Sequence, residues 1–185
     1  MTKRGGTRVH VALLRGINVS GKNKLPMEEL ARMFEHAGCR DVETYIQSGN
    51  VVFAASLATV RKAKKLVQWS IHEAYGYSVP VIVRSGAELK EAFEDNPFSE
   101  RGADPKTLHV AFLDTKPGAA RVTALDPDRS SPDRFVLRGS EVYLCCPNGL
   151  GRSKLTNAYF DSKLHTKSTI RNWKTVTRLV EMVDR

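Results

Sequence analysis

The chain has 185 residues, of which 41% are apolar and 26% are charged. This composition excludes a wholly disordered chain and shows no collagen-like or coiled-coil bias, and the length allows one sizeable core or two small ones. The 29 lysines and arginines exceed the 20 aspartates and glutamates, so the formal charge is +9. Such a surplus favours anionic partners, among them nucleic acid and phosphorylated metabolites.

The amino-terminal stretch MTKRGGTR is basic and precedes the apolar run VHVALL at 9–14. A signal-peptide core or a membrane span needs a longer apolar stretch than this run, which also contains a histidine. We therefore predict a short flexible arm followed by a strand, in a cytoplasmic protein that has no membrane partner.

The next segment, RGINVSGKN at 15–23, contains two glycines, two asparagines, two basic residues and no acid. That composition predicts a loop. Pro26 then fits the first turn of a helix, and apolar residues recur at helical spacing until Gly38. Loops held by a rigid scaffold often carry function, so segment 15–23 is a first candidate.

Downstream of this helix, YIQSGNVVF at 45–53 predicts a β-hairpin that turns at Gly49 and Asn50. A second helix is predicted over 57–75, because its apolar residues fall on one face. YSVPVIVR at 77–84 then predicts a strand. The other side of the second helix is basic, and a solvated face is the favoured interpretation of its four cations, Arg61, Lys62, Lys64 and Lys65.

After a short helix, a turn-rich linker is predicted at 96–106. The second half of the chain then repeats the order of elements of the first half. The predicted elements are a strand at 107–113, a helix near 117–125, a hairpin at 134–146, a helix from about 154, a weak strand near 167–171, and a carboxyl-terminal helix with an apolar side formed by Trp173, Val176, Leu179, Val180 and Val183.

Two internal matches indicate a duplication. VHVALL at 9–14 matches LHVAFL at 108–113 with an offset of 99, and the hairpin at 45–53 matches FVLRGSEVY at 135–143 with an offset of 90. The difference of nine residues predicts that RGINVSGKN is an insertion in the first half.

The element order of each half predicts an α+β fold of two ferredoxin-like (βαββαβ) lobes related by internal duplication, plus a C-terminal helix. We place the first lobe at 1–95, the linker at 96–106 and the second lobe at 107–185.

The most basic part of the chain runs from Cys145 to Arg178 and contains seven basic residues but only one acid, Asp161. The three cysteines form no Cys-x-x-Cys pair, so reduced thiols are predicted rather than a disulfide framework or a zinc site. Cys146 precedes a basic loop that would favour a thiolate, although a structural role is the favoured interpretation.

Several long motifs resemble the domain-of-unknown-function 1697 family of bacterial proteins: VALLRGINVSGKNKLPMEEL, TYIQSGNVVF, NPF and CPNGLGRSKLTNAYF with TIRNWKTVTRL. The resemblance covers nearly the whole chain. It implies a cytoplasmic, two-lobed α+β protein and supplies no biochemical activity. Ser20 stands where similar proteins often have a second glycine, which is a departure within the inserted loop.

Specific catalytic signatures are missing from the sequence. The five histidines form no His-x-x-x-His or Glu-x-x-His pattern on a predicted helix, so no metal is predicted, and no cofactor is indicated either. Ser48 lacks the context of a nucleophile elbow. GLGRSK at 149–154 satisfies neither the P-loop nor the dinucleotide-binding pattern. We therefore name no catalytic residue.

Anion binding is the hypothesis that remains, because glycine-rich basic loops expose backbone NH groups next to cations. Ser153 is the predicted N-cap of the helix that follows. We predict that the inserted loop at 15–23, the loop at 148–157 and the turn at 171–173 form a basic cleft between the lobes, with Trp173 either stacking on a base or anchoring the last helix. The candidate residues are Arg15, Asn18, Lys22, Asn23, Lys24, Asn148, Gly149, Gly151, Arg152, Ser153, Lys154, Asn157, Arg171, Asn172 and Trp173.

Three classes of function stay open. A module that binds phosphate-bearing ligands or nucleic acid is favoured, and its affinity would fall steeply with salt. An enzyme that acts on a phosphorylated or nucleotide substrate would need a deep polar pocket with a perturbed titratable group. A protein-interaction scaffold would present an exposed apolar patch. For nucleic acid, loop-mediated binding is predicted, because the hairpin strands offer only Phe53 and Tyr143 for stacking on a sheet.

Overall fold

The computed structural model of the protein describes residues 6–185. It contains two four-stranded antiparallel sheets and six α-helices, the last of them carboxyl-terminal. The α+β fold with two βαββαβ lobes is therefore confirmed. The predicted amino-terminal arm falls mostly on residues 1–5, which lie outside the described residues.

The first sheet has the strand order β2-β3-β1-β4. In chain order its elements are β1 (Arg8–Leu14), α1 (Met27–His36), β2 (Arg40–Tyr45), β3 (Asn50–Ala55), α2 (Leu57–Tyr75) and β4 (Val81–Ser85), and α3 (Gly86–Glu94) follows them.

The second sheet has the equivalent order, β6-β7-β5-β8. Its elements are β5 (Leu108–Leu113), α4 (Ala119–Val122), β6 (Arg134–Arg138), β7 (Glu141–Cys145), α5 (Asn157–Leu164) and β8 (Ser168–Asn172), and the chain ends with α6 (Trp173–Val183).

Backbone contacts divide the chain into two compact units. The first comprises the described residues up to Leu89 together with Leu179–Arg185, and the second comprises Lys90–Arg178. Each unit thus contains one complete sheet. The linker inferred from composition at 96–106 stays a prediction.

The core of the first unit lies between its sheet and helices α1 and α2. Leu30 of α1 and Ile71 of α2 are buried there, and the rings of Phe34 and Phe53 have centroids 5.1 Å apart. Full burial of one such side chain contributes about 1.5–3 kcal/mol. Helix α2 begins where the Ser56 hydroxyl accepts a hydrogen bond from the Thr59 NH group, as expected of an N-cap.

The core of the second unit is built around α5 and β7. Phe160 of α5 is fully buried against Val142 and Leu144, and its ring meets Phe135 of β6 edge-on with a centroid distance of 6.0 Å. The short helix α4 contributes no buried residue. Most of this core therefore comes from the sheet and α5.

Three predicted boundaries are wrong. The strand predicted at 77–84 begins only at Val81, after a proline that has no NH group for a sheet. The helix predicted near 117–125 spans only Ala119–Val122. The helix predicted from about 154 begins at Asn157, because the Thr156 hydroxyl accepts the capping hydrogen bond from the Tyr159 NH group.

Strand pairing corrects the repeat offset. Leu13 pairs with Asn50 in the first sheet, and Phe112 pairs with Glu141 in the second. The hairpin strands are thus offset by 91 residues rather than 90, and the first lobe has eight extra residues rather than nine. The extra length is not one insertion, since the β2–β3 turn (residues 46–49) is also longer than the β6–β7 turn (139–140).

The duplication extends to two buried histidines. His10 and His109 occupy equivalent positions on β1 and β5, and both are almost fully buried. Burial lowers the pKa of both imidazoles, because an apolar environment disfavours the charged form. Both rings are therefore neutral in the folded protein at neutral pH.

We expect the free energy of unfolding to decrease as the pH falls below about 6.5. The unfolded chain then takes up protons on His10 and His109 while the folded chain does not, which costs up to about 1.4 kcal/mol per pH unit for each histidine. Urea denaturation at pH 7.5, 6.5 and 5.5 measures this slope. Replacing both residues by Gln should flatten it, and an unchanged slope in that variant would contradict the assignment.

Candidate functional site

The acid-free candidate segment forms the connection between β1 and α1, residues 15–26, which we call the β1–α1 loop. It leaves the sheet at the end where the β2–β3 turn and the start of β4 also lie. The Leu14 NH group donates to the Gly49 carbonyl oxygen over 2.8 Å, and the Arg15 NH group donates to that of Pro80 over 3.0 Å. The β2–β3 turn and the residue before β4 thus fix the base of the loop.

The loop folds back on itself as a small hairpin over residues 18–23, which we call the finger. Its two rungs are hydrogen bonds from the Asn18 NH group to the Asn23 carbonyl oxygen (3.0 Å) and from the Lys22 NH group to that of Val19 (2.9 Å). The tip residues Ser20 and Gly21 have φ angles of 50° and 76°. Positive φ at both positions is typical of the type I′ turn, which favours glycine, and this explains the glycine that similar proteins often have at position 20.

The side-chain amide of Asn18 holds the finger on the sheet. Its Nδ2 donates to the carbonyl oxygens of Leu25 (2.8 Å) and Gln47 (2.9 Å), and its Oδ1 accepts from the Leu25 NH group (2.9 Å). Asn23 makes one comparable hydrogen bond, from Nδ2 to the Gly16 carbonyl oxygen (2.8 Å). Both predicted ligand-binding asparagines of this loop therefore donate to backbone carbonyl oxygens, and their part in ligand binding stays a prediction.

Apolar anchors flank the finger on both sides. Ile17 and Leu25 are each about 1% exposed and belong to the core of the first unit. The Tyr77 hydroxyl also donates to the Lys24 carbonyl oxygen. The loop is consequently a rigid element and presents its remaining groups in a fixed arrangement.

The side chains that the loop presents to solvent are mainly basic or small. Lys22 and Lys24 are exposed, Arg15 is half-buried at the base, and the first acid along the chain is Glu28. Among residues 6–185, neither Lys22 nor Lys24 forms an ion pair. The exposed Val19 lies opposite Lys22, with which it forms a β-bridge across the finger. The arrangement favours a small anion over a cation or a neutral ligand.

The second candidate loop connects β7 to α5 and differs from its predicted form. The backbone NH groups of five residues donate within the second unit, so they are not available as the expected anion nest: Gly149, Arg152, Ser153, Lys154 and Leu155. Ser153 is not the N-cap of α5. It is buried, and its hydroxyl accepts from the Leu155 NH group over 3.1 Å.

The other predicted residues of this loop differ in their exposure and contacts. Asn148, Gly149, Gly151, Arg152 and Lys154 are exposed. Asn157 opens α5, and its Oδ1 accepts from the Ser168 hydroxyl over 3.1 Å. The cations of Arg152 and Lys154 therefore remain candidates, whereas Asn157 links α5 to β8.

The cysteines are structural. All three are free and buried. Burial, together with the nearby carboxylate of Asp133, raises the pKa of Cys146 to about 11, and burial raises that of Cys39 to the same value. Cys146 is therefore a protonated thiol at neutral pH, and the favoured structural interpretation fits better than a reactive thiolate.

The third candidate segment lies where β8 joins α6. Arg171 is only 8% exposed, and its Nη1 donates to the Thr169 hydroxyl over 2.8 Å. Trp173 is buried and stacks on Phe93 with a centroid distance of 4.8 Å, as the anchoring alternative requires. The Asn172 Oδ1 accepts from the Thr175 NH group over 2.8 Å and so caps α6. All three residues thus have structural partners, and convergence of the three segments on one cleft stays a prediction.

An open hollow of about 570 Å³ lies at the opposite end of the second sheet from the β7–α5 loop. Its lining comprises Asp114, Thr115, Asp161, Ser162, His165, Thr166 and Lys167. The Asp161 carboxylate already accepts from the Ser168 hydroxyl over 2.7 Å and pairs with the Lys167 amine at 3.8 Å. None of the predicted site residues lines this hollow.

Three further observations concern metal binding, base stacking and membrane crossing. Within the part of the chain that the structure describes, no group of three metal-ligating side chains is close enough to hold an ion. Phe53 and Tyr143 are buried, so neither is available for a base to stack on the sheets. No described helix combines the length and the apolar character that a membrane crossing requires.

Two features were missed in the sequence. Arg84 and Arg171 are buried and occupy equivalent positions, since they pair with Val11 and Val110 respectively. The signal in the sequence was the offset of 87 residues between β4 and β8, the last strand of each lobe. Trp69 is 60% exposed on α2. Its phase on the helical wheel, opposite to the apolar stripe, was the signal for this exposure.

The fold and the finger define a two-lobed α+β protein built by duplication, with a rigid basic loop on the first lobe. The chain belongs to the family described as protein of unknown function DUF1697, whose profile matches residues 8–143. The predicted family is thereby confirmed.

Among solved structures, a similar fold is found in the conserved bacterial protein SP0830 from Streptococcus pneumoniae. The alignment has a TM-score of 0.72 and 22% identity, and it covers 97% of this chain and 100% of the other. At this identity the similarity shows the fold alone. Comparison with curated proteins produced no match.

Proposed function

We propose that the protein binds a small phosphate-bearing ligand through the β1–α1 loop of its first unit. The observation that carries this proposal is the hydrogen-bonded, acid-free β1–α1 loop, which presents Lys22 and Lys24 without partner acids among residues 6–185. A loop backbone that is already held by hydrogen bonds loses little further conformational entropy when a ligand arrives, so a preformed loop binds more tightly than a flexible one. Arg15, at the base of the loop, adds a third positive charge.

In this proposal Asn18 and Asn23 act as positioning residues. Their amides maintain the finger, and the charges recognise the ligand. A cytoplasmic location belongs to the same proposal and is supported by the free cysteines, since a reducing compartment keeps thiols unpaired.

The test is thermal unfolding in the presence of inorganic phosphate, pyrophosphate, nucleoside monophosphates and hexose phosphates. A ligand present at 100 times its Kd stabilises by about 2.7 kcal/mol, which raises the Tm by about 5–10 °C for a chain of this size. We expect at least one phosphate compound to do so at low salt, and the increase to shrink at high salt.

Neutralisation of the two exposed lysines of the β1–α1 loop should remove this stabilisation. The variant Lys22→Gln with Lys24→Gln is compared with Lys106→Gln with Lys116→Gln, which makes the same change in net charge at exposed lysines of the second unit. Loss of the Tm increase only in the first variant supports the proposal. No increase with any phosphate compound, or an equal loss in both variants, rejects it.

A further inference from the structure

The outer face of α2 combines basic side chains with an exposed aromatic ring. Helix α2 runs from Leu57 to Tyr75 and packs its inner face on the core through Ala63, Val67 and Ile71. On the opposite side, Arg61, Lys65 and Trp69 follow one another at intervals of four residues, so they lie along one line of the helix surface. Lys62 and His72 flank this line, and all five residues are exposed.

Trp69 is the unusual member of this face. Tryptophan is among the residues that are most buried on average, yet this side chain is 60% exposed. The second tryptophan, Trp173, is only 6% exposed. A solvated face, as the sequence pattern favoured, explains the lysines but not the indole.

The charges of this face are not compensated. Glu73 is the only acid in α2, and among the described residues no ion pair engages Arg61, Lys62 or Lys65. With a rise of about 1.5 Å per residue, the distance along the helix axis from Arg61 to Trp69 is about 12 Å. The partner that complements this face is therefore an extended polyanion with flat apolar groups.

We propose that the outer face of α2 binds single-stranded nucleic acid, with one base stacked on the Trp69 indole and the backbone phosphates paired with Arg61, Lys62 and Lys65. Stacking platforms surrounded by cations are the general means by which proteins hold single strands without sequence readout. A duplex would not serve equally well, because its bases are already stacked and their faces are covered.

A membrane surface is a poorer partner. A helix that lies in a membrane interface inserts an apolar face, whereas the apolar side of α2 is buried in the core of its own unit. An acidic protein would complement the charges, but it would leave the stacking surface of the indole without a planar partner.

The test is fluorescence anisotropy with a labelled 12-mer of oligothymidylate at 50 and 200 mM salt. Contact with three phosphates gives a slope of about −2 for log K against log[salt], so we expect the affinity to fall about 20-fold between these concentrations. Replacing Trp69 by Ala should weaken binding about tenfold without changing the slope, since one stacked base is lost. Replacing Lys62 and Lys65 by Gln should reduce the steepness of the slope by about 1.4.

Direct evidence for stacking comes from the variant Trp173→Phe, in which Trp69 is the only indole. Oligothymidylate should quench its fluorescence, and heparin, a polyanion without bases, should not. The inference is overturned if the oligonucleotide does not bind at 50 mM salt, if Trp69→Ala binds as tightly as the unchanged protein, or if heparin quenches equally. Duplex DNA that binds as tightly as the single strand would also overturn it.

The two proposals can be tested independently of each other. The variant Lys22→Gln with Lys24→Gln should retain full affinity for oligothymidylate, because its changes lie in the β1–α1 loop. The variant Trp69→Ala should retain the thermal stabilisation by small phosphate compounds.

Discussion

Replacing Gly49 by Ala is expected to destabilise the protein by about 2–5 kcal/mol. Gly49 has a φ of 74°, a conformation that costs about 1–2 kcal/mol for a residue with a Cβ. A Cβ at this position would also lie 2.7 Å from the Leu14 Cβ and 2.8 Å from the Ile17 Cδ1. Neither neighbour can move freely, because one belongs to a central strand and the other anchors the β1–α1 loop, so overpacking adds about 1–3 kcal/mol.

The duplicated lobe supplies a matched control for this substitution. Gly139 lies in the equivalent hairpin turn with a φ of 60°, and an added Cβ would meet only the Glu141 Oε2 at 3.6 Å. Gly139→Ala should therefore cost only the conformational component, about 1–2 kcal/mol. Urea denaturation monitored by circular dichroism compares the two variants. Similar losses of unfolding free energy would show that the predicted overlap at Gly49 is relieved by rearrangement.

Replacing Asn18 by Ala is expected to cost about 4 kcal/mol and to abolish anion binding by the β1–α1 loop. The substitution removes three hydrogen bonds, each worth about 1 kcal/mol, and leaves the buried end of the loop without its connection to the β2–β3 turn. It also places Ala at a φ of 53°, where Asn is better tolerated. No charge is removed, so a loss of binding would identify Asn18 as a positioning residue.

The matched control is Asn23→Ala. Its φ is 50°, and it loses one side-chain hydrogen bond instead of three. We expect about half the destabilisation and a partial loss of phosphate affinity, both measured by thermal unfolding with and without the best phosphate ligand. If Asn18→Ala unfolds like the unchanged protein, the finger is held by its apolar anchors alone.

Much of the fold could be predicted because its strongest elements combine several local signals. Helix α2 spans 57–75 as predicted, since its apolar stripe, its serine N-cap and its glycine C-cap agree. Helix α4 was predicted too long because it buries no residue and so has no periodic signal that tertiary packing enforces. The offset between the two hairpins was wrong by one residue, because a match between two sequences does not show that the β2–β3 and β6–β7 turns differ in length.

The candidate site was predicted only in part. The charges of the β1–α1 loop are visible in the sequence, and the absence of acids indicated an anion. The structural use of Asn18 depends on the Gln47 carbonyl oxygen, which lies 29 residues away and is brought near only by the sheet. For the same reason, the burial of Arg171 and the engaged NH groups of the β7–α5 loop were inaccessible to reasoning from composition.

The hydrogen bond that closes each sheet end has a further consequence for engineering. The Leu14 NH group meets the Gly49 carbonyl oxygen, and the Leu113 NH group meets that of Ser140, both over 2.8 Å. This hydrogen bond therefore forms whatever the length of the connection between the first strand and the first helix of the lobe. The second lobe shows that a five-residue connection, 114–118, can follow the same kind of hydrogen bond. The β1–α1 loop can accordingly be exchanged for that shorter connection. The shortened chain would show which properties depend on the loop, such as anion binding, and which depend on the sheet, such as stability.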